Sequence, residues 1–371
     1  QLSEIAGAPL AASSHGWDDF GVRYVVPTYD PSTLLRPAPA GGMGGQFAYP
    51  PFAMALAKAR WLVTQDPGWT FTHTVTSADP AQAAAELRAF VARSSTPYAD
   101  GTCPSIAVDI ETEAWAIDPE TFARVSRDAR KVTEVSGITC IGFGTPTGAL
   151  VVDTRKLTID DSDPLFAALA EVLEDPFTFL CFHHGNYDCP VIETLWGVQV
   201  EGYRDDTLIL HHDLYPDQKH TLSHVAFNFT DAQVWKPPKR LNGREAHETF
   251  AALAEYNARD VCLTAEIIAR LQFQIRKSEL QKVYDLDMAL QQQALDMWRN
   301  GMHIDQASAQ KIGTEAQHRQ EHALAAMRDL LKWPDFNPAS GSQLAEAMYD
   351  RLGNVPTKFT GTGARVTDKT A

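Results

Sequence analysis

Residues 105–115 read SIAVDIETEAW. Ile106, Val108 and Ile110 alternate as one face of a buried strand, while the other face ends in two carboxylates, Asp109 and Glu111. Side chains two apart on a strand share a face, about 6.6 Å from each other. Two carboxylates that close repel, and burial raises the cost of their charge. Three escapes exist: full hydration, a shared proton or a bound cation. Oxygen-only ligands favour a hard ion such as Mg²⁺ or Mn²⁺.

The neighbouring sequence supplies layers for such a strand. TFTHTVTS (70–77) alternates like a strand, and residues 79–94 form an Ala-rich helix with Asp79 as N-cap and Pro80 in its first turn. GITCIGFGTPTGALVVD (137–153) reads as a hairpin split by Gly and Pro. DPLFAALAEVLED (163–175) is an amphipathic helix and PFTFLCFHH (176–184) an apolar strand. A long helix is expected from about Glu245 to Lys277, and 279–371 is mostly helical with a break at RNGMHID (299–305). Strands and helices in this order predict an α/β layer with a mixed sheet flanked by helices. Upstream, residues 1–66 are rich in Pro, Gly and Ala, with a strand-like stretch at 22–36 and a helix in FAMALAKARWLV.

The chain has 371 residues, enough for two or three domains with cores of their own. Its apolar runs fall far short of a membrane span and no signal peptide opens it, so a cytoplasmic setting is expected. Gln1 is not a natural start, which implies residues before it. Five scattered cysteines without a C-x-x-C pair read as reduced, buried thiols. The net charge of −15 argues against a partner held by a broad basic face. One basic stretch stands out, WKPPKRLNGR (235–244), with a solvated loop as the plain alternative.

Further acids extend the cation reading. Asp188 follows a strand in FLCFHHGNYDCPVI (179–192), and Asp260 lies in EYNARDVCLTAEI (255–267), four residues after Tyr256. That spacing sets the phenol and carboxylate one turn apart on a helix face. A helix burying Leu253, Val261 and Ile268 would carry this pair toward the sheet.

In order and spacing, these three stretches resemble the exonuclease motifs of the tyrosine-containing branch of the DEDD superfamily of 3′–5′ exonucleases. The second motif departs from the pattern, with His184 where the family has Asn. This bears on substrate positioning, because Asp188 is retained. The resemblance implies a ribonuclease H-like fold and two divalent metal ions, Mg or Mn, held by Asp109, Glu111, Asp188 and Asp260. It also implies that Tyr256 orients the attacking water, and that Thr112, His184, Asn186 and Tyr187 meet the terminal nucleotide. Tyr187 reads equally as a core packing residue.

YDLDMALQQQALDMWRNGMHID (284–305) is similar to the helix that follows the exonuclease in family A DNA polymerases, with Ala289 and Trp298 as departures. Residues 336–369 resemble the thumb tip of that family, after which palm and fingers would follow in the parent chain. No polymerase active-site motif is present, so this chain is expected not to polymerise. VVPTYDPSTLLR (25–36) is faintly similar to the active-site loop of uracil-DNA glycosylases, with Asp30 in place of the usual His.

The expected organisation is a glycosylase-like tail or linker over 1–66, an exonuclease domain over 67–277 and a helical partial thumb over 278–371. The implied function is proofreading of a single-stranded DNA 3′ end on a primer–template, in a bacterial or phage-infected cell. A free-standing DNA or RNA exonuclease and a catalytically silent nucleic-acid scaffold are the alternatives. A rival site lies in HHDLYPDQKHTLSHVA (211–226), where His220 and His224 stand four apart, a helical zinc-ligand spacing. The plainer reading is a loop and helix start. Asp205 or Asp206 is expected to cap the helix of TLILHHDLY.

Overall fold

The computed structural model describes residues 8–11, 24–28, 45–62, 64, 69–96, 104–114, 135–235, 249–356, 359 and 365. It divides into two compact units, Gln1–Arg299 and Asn300–Ala371.

The first unit opens with a two-stranded antiparallel pair, β1 (Leu10–Ala11) and β2 (Tyr24–Val25), and helix α1 (Gly45–Leu62). The strand expected over 22–36 is thus reduced to Tyr24–Val25 among the described residues, and Asp30 lies outside them.

Six strands form the central sheet: β3 (Thr72–Val75), β4 (Ile106–Ala114), β5 (Val135–Thr145), β6 (Gly148–Asp153), β7 (Leu180–Phe182) and β8 (Tyr203–Asp206). Their order is β3-β6-β5-β4-β7-β8. β4, β5 and β6 are antiparallel neighbours, whereas β3 joins β6, β7 joins β4 and β8 joins β7 in parallel. The mixed sheet expected from the sequence is therefore present.

Six helices follow or interrupt the strands: α2 (Pro80–Ser94), α3 (Pro164–Glu174), α4 (Gly185–Trp196), α5 (Thr207–Leu214), α6 (Leu222–Phe229) and α7 (Phe250–Lys277). Asp79 caps α2 by accepting from the Gln82 amide, and Asp206 caps α5 by accepting from that of Leu208. α7 begins later than its apolar periodicity suggests. Thr249 is extended and its hydroxyl accepts from the Ala252 amide, so the helix starts at Phe250 rather than near Glu245, which lies outside the described residues. Helix α8 (Gln281–Asn300) closes the unit, with Tyr284, Met288 and Leu295 buried.

The centre of the core is the contact of α7 with β4, β5 and β6. On β5, Gly142 and Gly144 lie two apart and so share a face. A Cβ built on Gly144 would stand 2.7 Å from the Val261 backbone carbon, and one on Gly142 2.1 Å from the Asn257 amide oxygen. Absent side chains let the helix backbone come down onto the strand. The other face of β5 buries Ile141 and Phe143 fully. Burial pushes the thiols of Cys140, Cys181 and Cys189 well above their usual range and that of Cys262 to about 12, so these four are inert packing groups. Cys103 lies outside the described residues.

A cation helps fasten α1 to the sheet domain, beside Met54, which packs on its core. Lys58 of α1 donates to the carbonyls of Phe227 and Thr230 at the C-terminal end of α6, the second contact at 2.6 Å. Carbonyls at a helix C-terminus carry partial negative charge and suit a cation.

The second unit holds α9 (Gln306–Leu331), α10 (Gly341–Ala345) and a wide turn at Glu346–Arg351, in which Ala347 and Tyr349 are buried. Asp305 caps α9 through the Ser308 amide, after the break expected at 299–305. No helix among the described residues is long and apolar enough to cross a membrane.

The seating of α7 gives a direct test. Gly144→Ala is expected to cost about 1–3 kcal/mol of folding stability, the usual price of overpacking, read as a lower urea midpoint. An unchanged midpoint would mean that the helix does not rest on the strand.

Candidate active site

β4, β7 and β8 run parallel, and three acidic segments follow their paired residues toward one end of the sheet: Asp109–Glu111 in the middle of β4, past its last pair with β7, then His183–Asp188 after β7 and Asp205–Asp206 at the end of β8. Ligand sites of α/β sheets favour the carboxyl ends of parallel strands. Asp109 pairs across the ladder with Gly142, and Glu111 with Cys140, on the face that α7 covers. Both acids are half-buried.

Asp188 lies in the first turn of α4 and is 5% exposed. Its carboxylate accepts from the Ile110 backbone N–H at 3.2 Å, between the two acids of β4. Burial pushes its carboxyl up from 3.8 to about 7. Asp260, also 5% exposed, sits on α7 and accepts from the Trp235 indole N–H at 2.5 Å. Tyr256 is half-buried one turn earlier on the same helix. Between them Asn257 donates its amide to Asp109, at 2.9 Å to Oδ2 and 3.2 Å to the backbone carbonyl.

Asp109, Asp188 and Asp260 thus each accept from a neutral donor on another element. Such donors orient a carboxylate without cancelling its charge. The set is oxygen-only, which suits Mg²⁺ or Mn²⁺. Among the described residues, no group of three or more His, Cys, Asp or Glu side chains is placed to hold a metal ion.

The residues expected at the nucleotide fall into two groups. Thr112 and Tyr187 meet through their hydroxyls at 3.1 Å, with the Tyr187 ring partly buried against the core. Asn186 donates to Gln291 of α8, and its own amide oxygen is buried without a partner. His184 is exposed and left-handed (φ 76°), a costly conformation for a residue with a Cβ. Its backbone amide and that of Gly185 donate to Asp206 at 2.8–3.1 Å. Asp206 also accepts from the Tyr203 hydroxyl at 2.6 Å and the Leu208 amide at 2.8 Å. Asp206 therefore holds the N-terminal ends of α4 and α5 together, although burial pushes its own carboxyl upward.

Beyond α5, the histidine stretch is a loop followed by a helix start, as its plainer reading expects. His220 precedes the N-cap Thr221 and is not on α6 with His224. Its two ring nitrogens pair separately with His211 at 2.8 Å and His212 at 3.3 Å, so the imidazoles do not converge on one point. Burial pushes His211 down to about 3, keeping it neutral. Of the basic stretch 235–244, residues 236–244 lie outside the described residues.

Motif reading passed over Asn257 and Trp235. Asn257 stands three residues before Asp260, a spacing that shares a helix face. Nothing local to Trp235 signals its partner.

A model of the 3′–5′ exonuclease family matches residues 90–276. DNA polymerase I of Pseudomonas aeruginosa is 28% identical over 222 residues, a match covering 55% of this chain and 23% of that protein. The chain therefore spans less than a quarter of that relative's length. Among solved structures, the POL domain of Pol1 from M. smegmatis, in complex with DNA primer-template and dNTP, is 19% identical with a TM-score of 0.46, covering 80% of this chain and 44% of that one. Escherichia coli RNase D, an exoribonuclease involved in structured RNA processing, is 19% identical with a TM-score of 0.43, covering 62% and 51%. The catalytic core of RRP6 from Trypanosoma brucei is 17% identical with a TM-score of 0.42, covering 67% and 62%.

The raised Asp188 carboxyl has a pH signature. Where a folded-state carboxyl titrates above its unfolded value, the folded state binds more protons between the two, so stability falls as pH rises through that window. With chelator present, the protein is expected to lose stability between about pH 4 and pH 7 relative to Asp188→Asn, which cannot ionise. Urea melts at pH 5 and pH 7.5 read the difference, and parallel pH profiles for the two proteins would contradict it.

Proposed function

Because the chain belongs to the 3′–5′ exonuclease family, we propose that it hydrolyses the 3′-terminal phosphodiester of single-stranded or frayed DNA, as the proofreading portion of a family A DNA polymerase. The observation that carries this reading is the pair of hydrogen bonds around β4. Asp188 on the Ile110 amide and Asn257 on Asp109 draw α4 and α7 onto the strand that holds Asp109 and Glu111.

In this reading Asp109, Glu111, Asp188 and Asp260 hold two divalent ions, Mg²⁺ or Mn²⁺, which when bound stabilise charge on the attacking and leaving oxygens of an in-line displacement. Tyr256 orients the attacking water through its hydroxyl. Thr112 and Tyr187, already joined, set the floor for the terminal nucleotide, and His184 and Asn186 meet it from the start of α4. The strand being cut is held by stacking and a few polar contacts, in keeping with a net charge of −15.

Kinship with a DNA polymerase I supports DNA as substrate and a primer–template as partner. By resemblance of their sequence, residues 278–371 are assigned to a partial thumb and 1–66 to a glycosylase-like tail or linker, with palm and fingers in the parent chain. The chain itself is not expected to polymerise.

Incubation with 5′-labelled single-stranded DNA and Mg²⁺ or Mn²⁺ should give a ladder shortening from the 3′ end. The double variant Asp109→Ala/Glu111→Ala is expected to abolish it. Full activity in that variant would reject the site assignment. A marked preference for RNA in the same assay would favour the free-standing exonuclease over the proofreading role.

A further inference from the structure

We propose that Asn257 is a positioning residue for Asp109, and that Gly142 is the vacancy in the sheet that lets it act. The proposal rests on the reading of Asp109 as a metal-binding carboxylate and deepens it.

Asn257 is fully buried on α7. One side of its amide grips Asp109 twice, through the carboxylate and the backbone carbonyl. The orientation of that amide is set by chemistry, because both Asp109 groups are acceptors and only the NH₂ can face them. The amide oxygen must then point the other way, where it is buried without a hydrogen-bond partner. A buried orphan carbonyl is costly. It persists here because the reverse orientation would set that oxygen against a carboxylate and leave it still without a donor.

Gly142 explains where that oxygen goes. It stands directly across the ladder from Asp109, and a Cβ on it would lie 2.1 Å from the Asn257 oxygen and 3.0 Å from the carbon that bears it. Residues facing each other across an antiparallel pair place their side chains side by side on one face. The slot beside Asp109 that any other residue at 142 would fill is occupied instead by an amide from the helix. The pairing delivers a neutral donor to one oxygen of Asp109, so the carboxylate is fixed in direction with its charge intact. Partners of this kind, one bond behind a metal ligand, set ligand orientation, and losing one weakens metal affinity or activity by about 10–100-fold.

The test uses the whole chain and Mn²⁺ as probe, with binding read by calorimetry or by loss of the free-ion electron paramagnetic signal. Asn257→Leu keeps the volume and removes the donor. Asn257→Asp keeps the shape but sets a carboxylate against a carboxylate. Both are expected to bind Mn²⁺ about 10–100-fold more weakly, with kcat on single-stranded DNA falling in step and KM within about twofold. Gly142→Ala, which leaves Asn257 in place but takes its slot, is expected to weaken Mn²⁺ binding in the same direction. Thermal melts with chelator identify any variant that has not folded, and the other variants then carry the result. If Asn257→Leu and Asn257→Asp fold and bind Mn²⁺ within about twofold of the unaltered chain, Asn257 is only a packing residue. Asp109→Ala is the control that separates the two ideas. Should it also leave Mn²⁺ binding and cleavage unchanged, the active-site reading itself fails. If it abolishes both while the Asn257 variants do not, the positioning role alone is lost.

Discussion

The close approach of one helix to one strand is the constraint on which the rest of the molecule depends. Gly142 and Gly144 remove two side chains from a single face of β5, and Val261 and Asn257 of α7 fill the space. Only at that distance can a short amide from the helix reach a carboxylate on the neighbouring strand. Asp260 and Tyr256, on the same helix, are brought toward the sheet by the same contact. Residues from distant parts of the chain therefore share one neighbourhood because of missing atoms as much as present ones.

Two buried acids near this neighbourhood show how environment separates structure from chemistry. Asp206 and Asp188 are both buried, and burial pushes both carboxyls upward. Asp206 receives three backbone amides and a phenol, fully occupied in joining two helix ends. Asp188 is fixed on β4 through the amide of Ile110. An acid saturated with donors behaves as a rivet. One buried beside few donors keeps a cost of burial that a cation can relieve.

Local rules carried the sequence reading a long way. The alternation in β4, the hairpin of β5 and β6, the Asp79 and Asp206 caps and the break before α9 each rest on contacts within a few residues, and each is visible as a pattern. The start of α7 was misjudged because a threonine cap outweighed apolar periodicity. His220 and His224 stand four apart without sharing a helix face, because His220 lies before the cap of the helix that carries His224, as the plainer reading of a loop and helix start expects. Asn257 and Trp235 were illegible on different grounds. Their partners lie 148 and 25 residues away, and nothing in an Asn or Trp announces the acid that it will meet in space.

The last helix of the first unit bears on where the chain can be cut. The family match ends at residue 276, yet Tyr284 of α8 donates to Asp205 and accepts from the Asp206 amide, and Gln292 donates to the Tyr203 carbonyl. Arg299 reaches back to Glu193 on α4. A fragment trimmed at the edge of the family match would strip the cover from β8 and uncap polar groups that water must then enter to satisfy. The smallest piece that keeps its floor intact runs through Arg299.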